Sequence, residues 1–365
     1  SRSTAATRVN ADGNIEKETQ NLLTYSNTFD QWSDTTIVLT SGQTGYDGSS
    51  DAWLMAKNGS NSRIFLGVTT SGVTTTSVYA KANASNYLRI RCDTTNATSN
   101  TYFDLSNGTI YSTLETIDEK IEDVGGGWYR CSVVPNDPTT IVRLYPAEAG
   151  STSDVSGSIY IQDAQLEQGL VARDYIETTT AAVEGGITDN VPRLDYTDSS
   201  CPALLLEPQR TNILTNSEYF AAWIQINTLN TANALISPEG VQNANKLIAA
   251  SGVNNNVIYQ GLTAGTYTAS IFAKKGEFEG LVIATGNVGA FFNLNTNTYR
   301  THYGSAPTSY NIEDFGNGWH RFSITFTEAG ANSLYIGPND NVSNSLGVTG
   351  NNSDGIYIYG AQMES

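Results

Sequence analysis

The fold class this sequence predicts is all-β: two tandem jelly-roll-like antiparallel β-sandwiches from an internal duplication. Three observations predict it. The composition favours turns over helices, with 15% charged residues, 33 Gly and 20 Tyr in 365 residues. Short alternating or β-branched runs recur between Gly, Asn, Asp and Ser. Three blocks of sequence also appear twice, in the same order and at matching spacings.

The first block, "NLLTYSNTFDQW" from Asn21, matches "NILTNSEYFAAW" from Asn212 at six of twelve positions. The second, "IEDVGGGWYRCS" from Ile121, matches "IEDFGNGWHRFS" from Ile312 at eight of twelve. The third, "IYIQDAQLE" from Ile159, matches "IYIYGAQME" from Ile356 at six of nine. First and second blocks are 100 residues apart in both copies, whereas second and third are 38 apart in one and 44 in the other. One loop therefore differs by about six residues between copies of a domain of ordinary size.

Within copy one, "SVYAK", "NYLRIRC", "TIYST", "WYRCSVV", "TIVRLY" and "SIYIQD" read as strands. Helix signals are weak; "NSEYFAAWIQ" predicts one short helical turn near the start of copy two. The boundaries read as an N-terminal segment over 1–20, copy one over 21–178, a connector over 179–210 and copy two over 211–365. The connector contains the apolar run "ALLLE", so it is expected to be ordered and to carry one or two strands.

A formal net charge of −17 repels nucleic acid and anionic membrane surfaces, so neither is expected as a partner. No apolar run approaches the roughly 18 residues of a membrane span. The opening "SRSTAATRVN" lacks the apolar centre of a signal peptide. Cys92, Cys131 and Cys201 form neither a disulfide framework nor a zinc-type spacing. Cys131 stands where copy two has Phe322, the place of a core residue. A Cys92–Cys131 bridge is the less favoured reading. Only two histidines are present, and no hydrolase, metalloprotease or nucleotide-binding motif occurs, so the chain is expected to be no enzyme.

Several segments resemble the repeated carbohydrate-binding-module-like β-sandwiches of tailed-phage tail-fibre and head-fibre proteins. They are "STAATRVNADGNIE", "NVPRLDYTDSSCPALLLEPQRTNILTNSEYF", "GWYR" with "GWHR", and "IYIQDAQLEQGLVARDYIETT". Copy one lacks most of the "PRLDY…CPALLLEPQRTN" opening, and copy two stops before an "RDYIETT"-like tail. The natural polypeptide is accordingly expected to continue past Ser365. The resemblance implies a virion fibre protein made in the bacterial host cytoplasm. It further implies a homotrimer, contact with other virion proteins, and contact with host cell-surface glycan. Two competing expectations remain: a purely structural spacer and oligomerisation segment, or part of a glycan depolymerase with its catalytic portion elsewhere.

The duplication separates scaffold from candidate site. Trp128, Arg130, Trp319 and Arg321 recur in both copies and are expected to serve the shared fold, each Arg paired with Glu122 or Glu313. The adjacent acids Glu122–Asp123 and Glu313–Asp314 point to opposite faces of a strand, which suits turn chemistry and not a glycosidase dyad. Features confined to one copy are the glycan-binding candidates. In "NYLRIRCD", Tyr87, Arg89 and Arg91 share one strand face, fit to hold carboxylates or sulfates, and copy two has Val282 and Ala284 in place of the arginines. Trp53 is a candidate stacking platform; Tyr299 and Tyr303 form a weaker cluster in copy two. The resemblance implies a structural calcium as the one cofactor to consider, with Asp47 and Asp51 of "DGSSD" as weak ligand candidates. Such turns also form without an ion.

Overall fold

The computed structural model describes residues 7–9, 14–17, 19–183, 194–195, 201, 203–204, 211–252 and 255–365. Two compact units emerge: Glu18–Gly186, and Ile187–Ser365 together with Ser1–Lys17. The chain opens with a hairpin of β1 (Thr7–Val9) and β2 (Ile15–Lys17) that belongs to the second unit. There Ile15 is buried among Ala244, Phe272, Trp319 and Tyr359, and its N–H donates to the Pro238 carbonyl at 2.9 Å.

Among its described residues the Glu18–Gly186 unit holds twelve strands. They are β3 (Ser33–Thr35), β4 (Ile37–Gln43), β5 (Ala52–Lys57), β6 (Arg63–Gly67), β7 (Thr74–Ala82) and β8 (Tyr87–Thr94), then β9 (Thr98–Asp104), β10 (Thr109–Leu114), β11 (Thr116–Gly125), β12 (Trp128–Pro135), β13 (Thr139–Ala147) and β14 (Ser158–Gln168). They form two six-stranded antiparallel sheets, β10-β9-β8-β13-β6-β3 and β11-β12-β7-β14-β5-β4. Alternation puts Leu88, Ile90 and Cys92 of β8 on the inner face, where they meet Val78 and Ala80 of β7 and Cys131 and Val133 of β12. Each Leu, Ile or Val among them contributes about 1.5–3 kcal/mol relative to exposure, so the register of β7, β8 and β12 is strongly fixed.

A hairpin of β15 (Leu194–Asp195) and β16 (Ala203–Leu204) lies in the connector, whose residues 184–193, 196–200, 202 and 205–210 are outside the described ones. The second sandwich follows: β17 (Ile224–Ile226), β18 (Thr228–Leu235), β19 (Ala244–Ala249), β20 (Val257–Leu262), β21 (Gly265–Lys274) and β22 (Gly280–Ala284), then β23 (Val288–Asn293), β24 (Thr298–Gly304), β25 (Ser309–Asp314), β26 (His320–Glu328), β27 (Asn332–Asn339) and β28 (Gly355–Glu364). Its sheets run β17-β20-β27-β22-β23-β24 and β18-β19-β28-β21-β26-β25, the same topology as the first sandwich. The helical turn expected near its start is a 3₁₀ turn, Phe220–Ala222, matched by Phe29–Gln31 in the first.

The repeated blocks are joints of this scaffold. Asn21 lies fully buried; its amide donates to the Ala164 carbonyl at 3.1 Å and its oxygen accepts from the Leu166 N–H at 3.1 Å. Asn212 does the same with Ala361 at 3.0 Å and Met363 at 2.9 Å, so the first block clamps the third in both copies. Trp32 and Trp223 each sit edge-on to a Phe at 5.4 Å and donate Nε1–H to the carbonyls of Tyr25 and Asn216. In "GGGW" and "GNGW", left-handed backbone at 125–127 and 316–318 makes the turn, with Asn317 filling the one non-Gly place.

Candidate functional site

The outer face of the β8 sheet carries a lattice of arginines and rings. Opposite the inward Leu88, Ile90 and Cys92, the side chains of Tyr87, Arg89 and Arg91 point outward. Cross-strand register sets Tyr145 of β13 and Tyr102 of β9 on either side of Arg89, and Arg143 and Asn100 on either side of Arg91. Phe65 of β6 stands opposite Arg143. Two rows therefore cross the sheet, one with Arg89 between two rings and one with Arg91 and Arg143 side by side between Asn100 and Phe65.

Arg89 lies over both of its neighbouring rings, 4.8 Å from Tyr145 and 5.4 Å from Tyr102. Its Nε–H donates to Asn100 Oδ1 at 3.0 Å, and a second N–H reaches the same oxygen. Desolvation lowers its pKa, yet a guanidinium starts so high that the charge persists. Arg143 lies 5.2 Å over Phe65, and Arg63 covers both Phe65 at 5.8 Å and Tyr145 at 5.9 Å. Asp93 joins the second row: one oxygen accepts from Arg91 Nε at 2.7 Å, the other from Arg143 at 2.5 and 2.9 Å. Burial works to raise the Asp93 pKa, but the two arginines outweigh it and hold the carboxyl below its usual range.

The second sandwich treats the same face differently. Its outward residues are Val282, Ala284, Phe291, Tyr303 and Tyr335, a small apolar cluster that Leu346 packs against. The connection between β27 and β28 runs fifteen residues, 340–354, against ten, 148–157, between β13 and β14. Most of the length difference between the copies lies here. Arg300 of β24 sits 5.0 Å over Phe291 and donates to the Val342 and Ser343 carbonyls and to Asn344 Oδ1 and Asn339 Oδ1. The longer connection thus folds across its own sheet and supplies oxygens to both terminal nitrogens of the guanidinium. In the first sandwich the shorter one turns back beside Asn61, with Thr152 and Asn61 exchanging hydrogen bonds at 2.7 and 2.8 Å.

The other sequence candidates lie elsewhere. Trp53 is 8% exposed, packs in the core edge-on to Phe29 and donates Nε1–H to the Asn27 carbonyl. It offers no open ring face, which corrects the expectation of a sugar platform: its strand position points into the sandwich. Tyr299 and Tyr303 are not one cluster. A register shift in the β23–β24 pairing turns Tyr299 toward the core, while Tyr303 joins the outer apolar cluster. Tyr299 stacks instead on Tyr310, with centroids 4.4 Å apart.

Trp128 and Trp319 face away from the sandwich interior and are still buried, at 3% and 2% exposure. Trp128 meets Tyr46 and Tyr160; Trp319 donates Nε1–H to the Ile236 carbonyl. The expected pairing of each Arg with a glutamate is corrected. Arg130 faces Glu122 in register but bonds Ser77 and the Arg173 carbonyl and lies over Tyr79. Arg321 likewise bonds Ser270 and Gln362 over Phe272. Asp123 and Asp314 accept from the Gly125 and Gly316 N–H groups at 2.8 Å, the turn chemistry the sequence suggested.

Asp47 and Asp51 converge on Ser49 and on the Gln162 amide, which donate to one oxygen, Oδ1, of each carboxylate. Among the described residues no group of three or more His, Cys, Asp or Glu is disposed to hold a metal ion. Arg63, Phe65, Tyr102, Arg143 and Tyr145 were not among the sequence candidates. The alternation in "TIVRLYP", which sets Arg143 and Tyr145 on one face, is the signal that points to them.

No family model matches the chain, and no curated protein matches it. Among solved structures it is similar to an exo-β-1,3-galactanase from Phanerochaete chrysosporium with β-1,3-galactotriose, at 8% identity and TM-score 0.24, covering 91% of this chain and 69% of that one. A cycloisomaltooligosaccharide glucanotransferase from Paenibacillus sp. complexed with cycloisomaltoheptaose shows 9% identity and TM-score 0.23, over 86% of this chain and 47% of that one. The vicilin of Solanum melongena shows 7% identity and TM-score 0.14, over 94% and 83%. Likeness at this level carries no argument about activity or ligand.

Proposed function

We propose that this chain is a non-enzymatic, glycan-binding structural segment of a phage fibre, homotrimeric in the virion, whose contact with host-surface glycan is the outer face of the β8 sheet. The observation that supports it is the contrast between copies. One fold presents an open lattice of Arg63, Arg89, Arg91 and Arg143 in the first sandwich and covers the same face with its own chain in the second. Duplicated scaffolds diverge where a task differs, and function sits in sites carried on a fold. The phage-fibre setting comes from the sequence resemblance. Shallow polar sites of this kind bind weakly one at a time, and a trimer would multiply them.

The non-enzymatic part of the proposal draws support from the carboxylates of the repeated turn and of the β8 face. Asp123 and Asp314 are occupied as turn caps, and Asp93 is locked between two arginines.

A glycan array read with the intact chain, its mass in solution, and an assay for oligosaccharide release from host capsule test the proposal together. Trimer-size particles that bind glycan and release nothing are the expected result. Oligosaccharide release would reject the non-enzymatic part. A trimer that binds no glycan would leave only a structural spacer.

A further inference from the structure

We infer that the ligand of this face is polyanionic, a glycan chain bearing carboxylates or sulfates, and that Asp93 is the internal counter-ion with which it competes. The inference rests on the glycan-binding reading above and narrows its substrate class.

Charge is the first argument. Four guanidinium groups, of Arg63, Arg89, Arg91 and Arg143, share this face with two carboxylates, Asp93 between Arg91 and Arg143 and Asp104 opposite Tyr87, which leaves it net positive. That patch inverts the sign of a chain whose net charge is −17. A local field of one sign on a background of the other selects its partner by charge.

Layering is the second. A neutral sugar needs an open ring face against its C–H groups. Here Arg89 and Arg63 lie over Tyr145, itself 3% exposed, and Arg63 and Arg143 lie over Phe65. Over these two rows a ligand meets cations before it meets rings; the exposed Tyr111, edge-on to Tyr87, lies beside them. Arg91, 32% exposed at its side chain, is bonded to Asp93 through Nε alone. Its planar fork suits the paired oxygens of a carboxylate or sulfate.

The second sandwich supplies the third. Arg300, stacked on a ring of the same face, has both terminal nitrogens bonded to oxygens of Asn339 and of residues 342–344, which lie across the sheet. An oxygen-rich chain is therefore what this face takes when covered. In the first sandwich the connection is too short to supply one, and Asp93 is the carboxylate that stands in.

The test uses the intact chain and three probes: dextran sulfate, polygalacturonate and neutral dextran, with affinity measured by calorimetry at low and high ionic strength. Binding of dextran sulfate, polygalacturonate or both, but not dextran, weakening with salt, is expected; whichever acidic probe binds identifies sulfate or carboxylate as the group held. Arg91→Gln weakens that binding about tenfold, as loss of a charge-assisted bond does. Asp93→Asn strengthens it, because the competing charge is gone. Lys275→Gln, the same charge change on an exposed residue of the other sandwich, leaves it unchanged. Weaker binding by a natively folded Asp93→Asn chain, or equal affinity for dextran at all salt concentrations, overturns the inference. If Asp93→Asn does not fold, salt dependence and Arg91→Gln decide. Binding of dextran alone leaves the glycan reading standing and rejects this one; failure of all three probes and of the glycan array rejects both.

Discussion

Arg89 and Val282 hold the same place in two copies of one fold, facing outward from β8 and β22, Arg89 opposite Tyr145 and Val282 opposite Gly337. The exchange is coupled across the strands. A Cβ on Gly337 would lie 2.3 Å from the Asn256 carbonyl oxygen, so no ring can stand there. The second sandwich closes its face with chain; the first furnishes it with cations and rings.

That closure should loosen when its anchor is cut. Arg300→Ala removes the donors that hold residues 342–344 and is expected to cost about 1–3 kcal/mol locally. Hydrogen exchange should rise across 341–346 and stay unchanged in the β8 sheet. Equal protection in variant and parent would mean that apolar packing of Leu346 alone secures the loop.

Trp53→Ala should act on stability. The buried indole fills core space beside Phe29 and bonds the Asn27 carbonyl, so its loss is expected to cost about 3–5 kcal/mol. Denaturant unfolding should show the loss in the first sandwich. A fully stable variant with reduced glycan binding would restore Trp53 as a site residue.

Asp163 makes the first sandwich sensitive to pH. It holds a left-handed φ of 53° where the second copy has Gly360 at 58°. Burial pushes its pKa from 3.8 to about 7, and the charges of Asp51 and Asp47 add to the rise against hydrogen bonds from Tyr46 and Tyr175. A carboxyl whose pKa is raised on folding binds its proton more tightly in the native state, so stability falls as pH rises between the two values. Thermal melting of the first sandwich should drop from about pH 4 to about pH 7 and then level. Asp163→Asn should flatten that slope; an unchanged slope would place its origin elsewhere.

The thiols should differ in reactivity. Cys92 and Cys131 are free and buried in the core; Cys201 is exposed. Burial pushes the Cys92 thiol up to about 12 and Cys131 well above its usual value, so neither presents a thiolate. A thiol reagent should modify one cysteine of three in the native chain and all three after unfolding.

Much of this architecture is legible in the linear chain. The paired blocks reveal the duplication, and alternation in "NYLRIRCD" puts Tyr87, Arg89 and Arg91 on one face. Trp53 misleads because a Trp beside an Asp-Gly turn reads alike whether its strand position points in or out. Tyr299 and Tyr303 mislead because a bulge breaks the two-residue period on which same-face reasoning depends.

The sequence by itself determined the all-β class, the two copies, the two faces of β8, and the stretch between the second and third blocks in which the copies differ in length. Those follow from local periodicity and self-similarity, which a linear chain displays directly. Only the tertiary structure decided which strands lie side by side. It brought Arg143 and Tyr145 beside Arg91 and Arg89 and laid residues 339–344 over Arg300. A cross-strand neighbour is fixed by sheet order, and sheet order is set by the burial of whole faces, to which residues far apart in the chain contribute together.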